Sequence, residues 1–171
     1  MTSGTKPSPT YTGGTFSSSG VPDSVTCATV RDFVMVAPTS NRYKVVWSAL
    51  GDPTDWPTPG TDDARTKQSG EQVFPNKFGF VTGISGNDFY AYVFQERAIS
   101  KATYVGGDIV FSFNIFEEGR GCFQVNRIAR VDDITFFESE YGYHMLANDQ
   151  VSDIGYGAVD DSYTPASEHR F

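Results

Sequence analysis

Short apolar segments separated by turns run along most of this chain, and they predict β-strands rather than helices. Runs such as Phe33–Ala37 and Phe89–Phe94 are rich in β-branched and aromatic side chains, and each directly follows an aspartate. Segments of this length and composition are typical of strands, whereas an amphipathic helix needs a longer pattern with a period near 3.6 residues. The expected fold class is all-β, with short antiparallel strands and no substantial helix.

The pattern of strands and turns occurs three times. In each copy a strand leads into a tight acidic turn, a strongly apolar strand follows, and a second turn leads to a third strand. The turn acids Asp32, Asp88 and Asp133 recur at an interval of roughly 50 residues, which is in the range of propeller blades. An ordinary β-sandwich built from successive hairpins would give the same pattern, so both architectures remain open.

The repeats divide the chain into a central β domain and two polar ends. Seventeen of the first 23 residues are Ser, Thr, Gly or Pro. This leaves too few apolar side chains to offset the conformational entropy that the segment would lose on ordering. We expect an extended or disordered arm over 1–23, a β domain over 24–159 and a polar tail over 160–171. The blade-like repeats are expected at 24–62, 76–114 and 119–157, with possible fourth strands at Val110–Asn114 and Val151–Ile154.

Composition supports the strand prediction. The chain has 14 Phe and 9 Tyr but only two leucines, Leu50 and Leu146. Aromatic and β-branched side chains suit a pleated sheet surface, while leucine is the usual apolar residue of helices.

The net charge of −8 and the acidic pI of about 4.6 argue against sequence-specific nucleic-acid binding. Such proteins carry a basic surface that neutralises phosphates, and no cluster of Lys and Arg is present. An acidic surface is compatible with a passage through which DNA slides, and equally with simple solubility. The first 23 residues contain no apolar run and no apolar stretch is long enough to span a bilayer, so we expect neither a signal peptide nor membrane insertion.

Few residues suggest chemistry. Cys27 and Cys122 fit no metal-ligand spacing and lie in apolar surroundings, which predicts buried free thiols rather than a disulfide. His144 lies in a predicted strand, where a half-buried, hydrogen-bonded histidine is expected, and His169 lies in the polar tail. We therefore predict no catalytic, cofactor-binding or metal-binding residues, no cofactor, and a protein that is not an enzyme.

Acidic pairs offer one alternative, because two carboxylates can serve glycoside hydrolysis. The segment Ser48–Trp56 loosely resembles an Asp-box turn, but its spacing differs and it occurs once. An Asp-Pro turn capped by Trp56 is the simpler interpretation. The pairs are Asp62–Asp63, Glu117–Glu118, Asp132–Asp133 and Asp160–Asp161.

An ordered series of segments resembles a family of structural proteins from tailed phages. The series comprises Val30–Pro57, Thr61–Gly70, Val93–Gly107, Phe111–Cys122 and Asp132–Gly155. Together these cover about residues 24–163 and are similar to the podoviral tail nozzle or tail-hub proteins, also called phage stabilisation proteins. The match is partial, because members of that family are generally longer.

The resemblance implies a non-catalytic, β-propeller-containing virion subunit in the tail or neck. It implies a six-fold ring of copies, contacts with an adaptor and with fibres or spikes, and a channel that passes genomic DNA during ejection without sequence-specific binding. Assembly would take place in the host cytoplasm. An alternative is a receptor- or glycan-binding tail module, in which exposed aromatic side chains stack on sugars. The candidates for that role are Tyr90, Tyr92, Tyr141, Tyr143 and Trp56.

Overall fold

The computed structural model describes residues 10–12, 15–17 and 20–154, and this part of the chain is all-β. It contains three four-stranded antiparallel sheets and a two-stranded hairpin. The predicted fold class is therefore confirmed. The predicted tail over 160–171, with His169 and Asp160–Asp161, lies outside the described residues, as does most of the predicted arm over 1–23.

The strands follow one another in chain order within each sheet. The hairpin is β1 (Thr10–Thr12) and β2 (Thr15–Ser17). Sheet 1 is β3 (Ser24–Val30), β4 (Phe33–Pro38), β5 (Lys44–Trp47) and β6 (Gly70–Val73). Sheet 2 is β7 (Val81–Gly86), β8 (Tyr90–Gln95), β9 (Ala98–Tyr104) and β10 (Phe111–Glu118). Sheet 3 is β11 (Ile128–Val131), β12 (Ile134–Ser139), β13 (Gly142–Ala147) and β14 (Gln150–Asp153).

Two strand predictions differ from the structure. The first repeat has a fourth strand, β6, which follows a long loop and lies beyond the predicted repeat over 24–62. The third repeat was predicted to begin at residue 119, but its first strand, β11, begins only at Ile128. The preceding residues run across sheet 2 instead, where the Cys122 N–H donates to the carbonyl of Gln95 at 3.0 Å.

Two short helices interrupt the strands. Helix α1 (Asp62–Thr66) lies in the loop before β6, where the Thr61 hydroxyl accepts the Ala64 N–H and the acids at the start of the helix favour its N-terminal dipole. A 3₁₀ turn spans Asn76–Phe78. Among the described residues, neither helix has the length and apolar character needed to cross a membrane.

Sheet 2 lies between the other two sheets and is apolar on both faces. Along β8, Ala91 and Val93 pack towards sheet 1, while Tyr92 and Phe94 pack towards sheet 3. Because successive strand residues point to opposite faces, a strand buried on both sides reads as a continuous apolar run. This explains the continuous apolar run Tyr90–Phe94 along β8.

The first strands of the three sheets approach one another closely. A Cβ on Gly86 would lie 2.2 Å from the Thr29 carbonyl oxygen, and a Cβ on Gly83 would lie 1.9 Å from the end of Ile128. Glycine at both positions lets β7 lie against β3 on one side and β11 on the other. The Arg130 guanidinium also donates to the Gly86 carbonyl. This stacking fits blade-like repeats and a layered sandwich alike.

The two cysteines are free, as predicted, but their surroundings differ. Cys122 is fully buried, and burial raises the pKa of its thiol to about 11, so it stays protonated and unreactive at neutral pH. The prediction that Cys27 is buried was wrong. Cys27 is exposed, on the edge strand β3 and on the face of sheet 1 that points away from sheet 2.

Candidate interaction surface

The two faces of sheet 3 have different environments. Phe137 and Leu146 point towards sheet 2 and are buried against it, with the Phe94 and Phe137 ring centroids 5.2 Å apart. The strand register places a second apolar row on the opposite side, where Phe136 pairs with Met145 and Val131 with Ile134. We call this second surface the open face. It consists of Ala129, Val131, Ile134, Phe136, Tyr143 and Met145.

The open face is exposed to an unusual degree for apolar side chains on a sheet. Val131 is 59 % exposed, Ile134 36 % and Tyr143 37 %. The register places Glu138 on this face, where it forms an ion pair with Arg127 at 3.0 Å, and Asp132 and Asp133 lie in the turn at its edge. A shallow groove of about 290 Å³ runs past this pair. A contiguous apolar patch without unpaired charge is typical of an interaction surface.

The internal repeat shows what covers the same positions elsewhere. Val30 and Phe33 close the first hairpin of sheet 1, as Val131 and Ile134 close the first hairpin of sheet 3. Continuing the register, Met35 and Trp47 correspond to Phe136 and Met145. In sheet 1 these positions are buried under sheet 2. The open face is therefore built like a face that packs against another four-stranded sheet.

The opposite end of the stack is closed at its centre. Val36 and Val46 form a cross-strand pair on the face of sheet 1 that points away from sheet 2. They are only 0 % and 9 % exposed. The centre of that face is therefore buried, whereas Val73 on its edge strand β6 is 53 % exposed and Cys27 on its other edge strand β3 is exposed as well.

A polar cluster fastens sheet 3 to sheet 2. The tight turn between β13 and β14 places Asp149 in the left-handed region, with φ of 59°. Its carboxylate accepts a hydrogen bond from the Tyr92 hydroxyl at 2.7 Å and forms an ion pair with Lys101 at 2.7 Å. Partial burial raises the pKa of Asp149, but the hydrogen bonds from Lys101 and Tyr92 outweigh it and hold the pKa below its ordinary value.

This cluster predicts a loss of stability in acid. Because the pKa of Asp149 is lowered in the folded state, its ionisation stabilises the protein above the unfolded-state pKa of about 3.9. That stabilisation is lost as the pH falls through the lower folded-state pKa. In urea titrations, the stability difference between the native protein and Asp149→Asn should shrink below about pH 4. Asp88→Asn, in an exposed turn, is the matched control, and an equal pH dependence for both variants would contradict the prediction.

His144 forms a hydrogen-bonded chain within sheet 3. Its Nε2 lies 2.6 Å from the Ser139 hydroxyl and its Nδ1 lies 2.7 Å from Asp153. The prediction of a hydrogen-bonded histidine is confirmed, and the burial is deeper than predicted, with 3 % exposure. The order of groups is that of a serine hydrolase triad. However, Ser139 is 1 % exposed and its hydroxyl already accepts the Tyr141 N–H at 2.9 Å, so it does not face a substrate.

Sequence reasoning did not identify Ser139 and Asp153 as partners of His144. The proximity of these two residues to His144 depends on the strand register. The register pairs His144 with Asp153 across β13 and β14 and places Ser139 at the end of β12. The alternation of apolar and polar residues gives the face on which a side chain lies. It does not give the partner on the next strand.

The acidic pairs lie apart and take local partners. Asp62 and Asp63 pair with Arg65 and Lys67 on α1. Glu117 pairs with Arg120, and Asp133 with Arg130. Within the described residues, no group of three or more His, Cys, Asp or Glu side chains is arranged to hold a metal ion.

Of the aromatic residues considered for glycan stacking, Tyr90 and Tyr92 lie together, with ring centroids 5.0 Å apart. Tyr92 is buried between sheets 2 and 3, and Lys101 lies over the ring of Tyr90 at 4.3 Å. Tyr141 lies in the turn before β13, and Tyr143 lies on the open face.

Trp56 donates from Nε1 to the Pro53 carbonyl within its own turn, where Asp52 accepts two hydrogen bonds from Thr54. The predicted Asp-Pro turn is confirmed, but Trp56 is not part of either core cluster.

Comparison with known proteins does not assign the chain to a family. No protein-family model matches its sequence, and no curated protein matches it at a significant level.

Proposed function

We propose that this protein is a non-catalytic structural subunit of a bacteriophage tail or neck. It would assemble with copies of itself into a nozzle-like ring, six-fold in symmetry, that lines the channel for DNA ejection. In this proposal the three sheets are blades of a β-propeller, and other neck or tail proteins, such as an adaptor and fibres or spikes, bind around the ring.

The observation that carries the proposal is the stack of three four-stranded sheets that ends in the open face. A structural subunit needs surfaces that pack against other proteins, and an exposed apolar sheet face supplies one. The ordered resemblance between residues 24–163 and phage nozzle proteins supports the proposed place of assembly. Neither observation needs a catalytic site.

The charge of the protein supports the role in DNA passage. The first hairpin turns of the three sheets carry Asp32, Asp88, Asp132 and Asp133, and the Arg31 N–H donates to the Asn87 carbonyl at 3.1 Å, which brings the first two turns together. Negatively charged carboxylates repel the phosphates of DNA, so an acidic surface along a channel would let DNA pass without binding.

Virions from a phage whose genome encodes this chain provide the test. We expect the protein among the structural proteins detected by mass spectrometry, and a ring at the neck or tail in cryo-electron microscopy maps into which the three sheets fit. Fluorescence anisotropy with the purified protein should show no binding to duplex DNA at about 50 mM salt, where phosphate contacts are strong. Absence of the protein from purified virions, or tight salt-dependent DNA binding, would overturn the proposal.

A further inference from the structure

We propose that the cavity lined by Arg42, Phe80, Glu96 and Gln124, which we call the junction cavity, binds a zwitterionic amino acid with an apolar side chain. Arg42 binds the carboxylate of the ligand and Glu96 its ammonium group. The inference goes beyond the proposed function and does not depend on the phage assignment. It rests on two unpaired side chains of opposite charge in one cavity and on the apolar side chains that line it.

The junction cavity lies where three parts of the chain meet. It has a volume of about 490 Å³, which is in the range of small-molecule sites. Arg42 comes from the loop between β4 and β5, and Phe80 directly precedes β7. Glu96 lies in the turn between β8 and β9, and residues 123–125 belong to the segment that leads from β10 to β11.

Arg42 is the first argument, because its side chain lacks a polar partner. Its Nε–H is buried without a hydrogen-bond acceptor. Each of the other described arginines has a side-chain hydrogen bond or an ion pair, and within the same part of the chain Arg42 has neither. A buried donor without an acceptor destabilises the protein, and a carboxylate matches the fork of guanidinium donors. A ligand carboxylate would therefore supply what Arg42 lacks.

Contacts around Arg42 hold its guanidinium in place before a ligand binds. The central carbon of the guanidinium lies 4.7 Å from the centre of the Phe80 ring, and this ring packs against the Tyr43 ring at a centroid distance of 4.8 Å. The Val81 N–H donates to the Arg42 carbonyl at 2.8 Å, which ties the loop to β7. A side chain that is already ordered loses little conformational entropy when it binds a ligand.

Glu96 gives the junction cavity its second charge. The Glu96 N–H donates to the Phe80 carbonyl at 3.1 Å, and its carboxylate lies against Gly79, where a Cβ would be 2.2 Å from Oε2. Among the described residues, the Glu96 side chain has no hydrogen bond or ion pair, and none with Arg42 in particular. Opposite charges that line one cavity without pairing fit a ligand that carries both charges. Glu96 would repel a simple anion.

The apolar part of the lining sets the side chain of the ligand. Phe80 is 36 % exposed, and Phe123 and Val125 are half-buried. An aliphatic or aromatic side chain on the ligand would remove part of this surface from water. Amino acids such as leucine combine the two charges with such a side chain. Because a ligand of so few atoms gains little binding free energy, we expect a dissociation constant of about 0.1–1 mM.

Isothermal titration calorimetry of the full chain with L-leucine, L-valine and L-phenylalanine tests the proposal. We expect at least one of them to bind in the stated range. Its N-acetyl derivative lacks the ammonium group and its amide derivative lacks the carboxylate, so each should bind about tenfold more weakly or worse. Failure of all three amino acids to bind at about 10 mM overturns the proposal, and water would then be the partner of Arg42.

Two variants test the role of each charge. Arg42→Gln and Glu96→Gln should each weaken binding of the amino acid about tenfold or more, since each removes a charged hydrogen-bonding partner. Each variant also removes a repulsion. Arg42→Gln should therefore bind the cationic amide derivative more tightly than the native protein does, and Glu96→Gln should do the same for the anionic N-acetyl derivative. A merely structural role of either side chain would not produce this exchange.

Arg31→Gln is the matched control for these variants. The Arg31 guanidinium also lies over an aromatic ring, that of Tyr104 at 4.6 Å, but it pairs with Asp32 and does not line the junction cavity. Its dissociation constant should stay within about twofold of the native value. Thermal melting shows that each variant is folded. Amino-acid binding that persists unchanged in folded Arg42→Gln and Glu96→Gln, or derivatives that bind as tightly as the amino acid, would refute the site.

Discussion

Replacing Phe94 with alanine should lower the free energy of unfolding by about 3–5 kcal/mol, the range found for buried phenylalanine. Phe94 is fully buried in the core between sheets 2 and 3, and its ring packs against Phe137 at a centroid distance of 5.2 Å. Truncation removes apolar contacts and leaves a cavity that two stacked sheets cannot easily close, because their spacing is set by the remaining side chains. Urea denaturation of the two proteins measures the difference.

Phe89→Ala is the matched control for this experiment. Phe89 precedes β8, but its side chain is 73 % exposed in the turn after β7. Its truncation should change stability by less than about 0.5 kcal/mol. If Phe94→Ala cost no more than Phe89→Ala, the stacking of sheet 3 on sheet 2 would be wrong.

Replacing His144 with alanine should cost about 2–4 kcal/mol. The substitution removes the hydrogen bonds to Ser139 and Asp153, each contributing about 1 kcal/mol, and the buried volume of the ring, which stacks near Phe137 at 5.2 Å. Asp153 keeps its contact with Arg120, and Ser139 keeps the Tyr141 N–H, so neither group is left without a partner. Thermal and urea unfolding report the loss.

His144→Phe separates packing from hydrogen bonding. Phenylalanine retains an aromatic ring of similar volume but neither ring nitrogen, so we expect a smaller cost of about 1–2 kcal/mol. A stability that rises from His144→Ala to His144→Phe to the native protein would support a role of His144 in joining β12, β13 and β14. Equal stability of His144→Ala and the native protein would contradict that role.

Sequence reasoning was most successful where a pattern is local. The apolar runs and acidic turns located the second and third strands of every sheet, because alternation and turn residues depend on neighbours in the chain. The expected fourth strands at Val110–Asn114 and Val151–Ile154 correspond to β10 and β14. Strand β6 was missed because the loop and helix α1 separate it from β5, and four residues with two polar side chains form no pattern on their own.

The exposure of Cys27 illustrates the limit of neighbour-based reasoning. Its surroundings in the sequence are apolar and small, which suggested burial. In a sheet at the end of the stack, such as sheet 1, each strand has one row of side chains that faces the next sheet and one row that faces away from it. Val30 and Cys27 belong to the same strand but lie on opposite faces of sheet 1, and they differ in burial.

By itself, the sequence determined the all-β class, the threefold recurrence of strands and acidic turns, and the net charge of −8. These properties follow from composition and short-range periodicity, which the chain carries in every conformation. Only the tertiary structure decided the order in which the sheets stack, the pairing of His144 with Ser139 and Asp153, and the position of the open face. The stacking order and the open face depend on which sheet lies against which, through packing over whole faces, and the His144 contacts depend on the register of β12, β13 and β14.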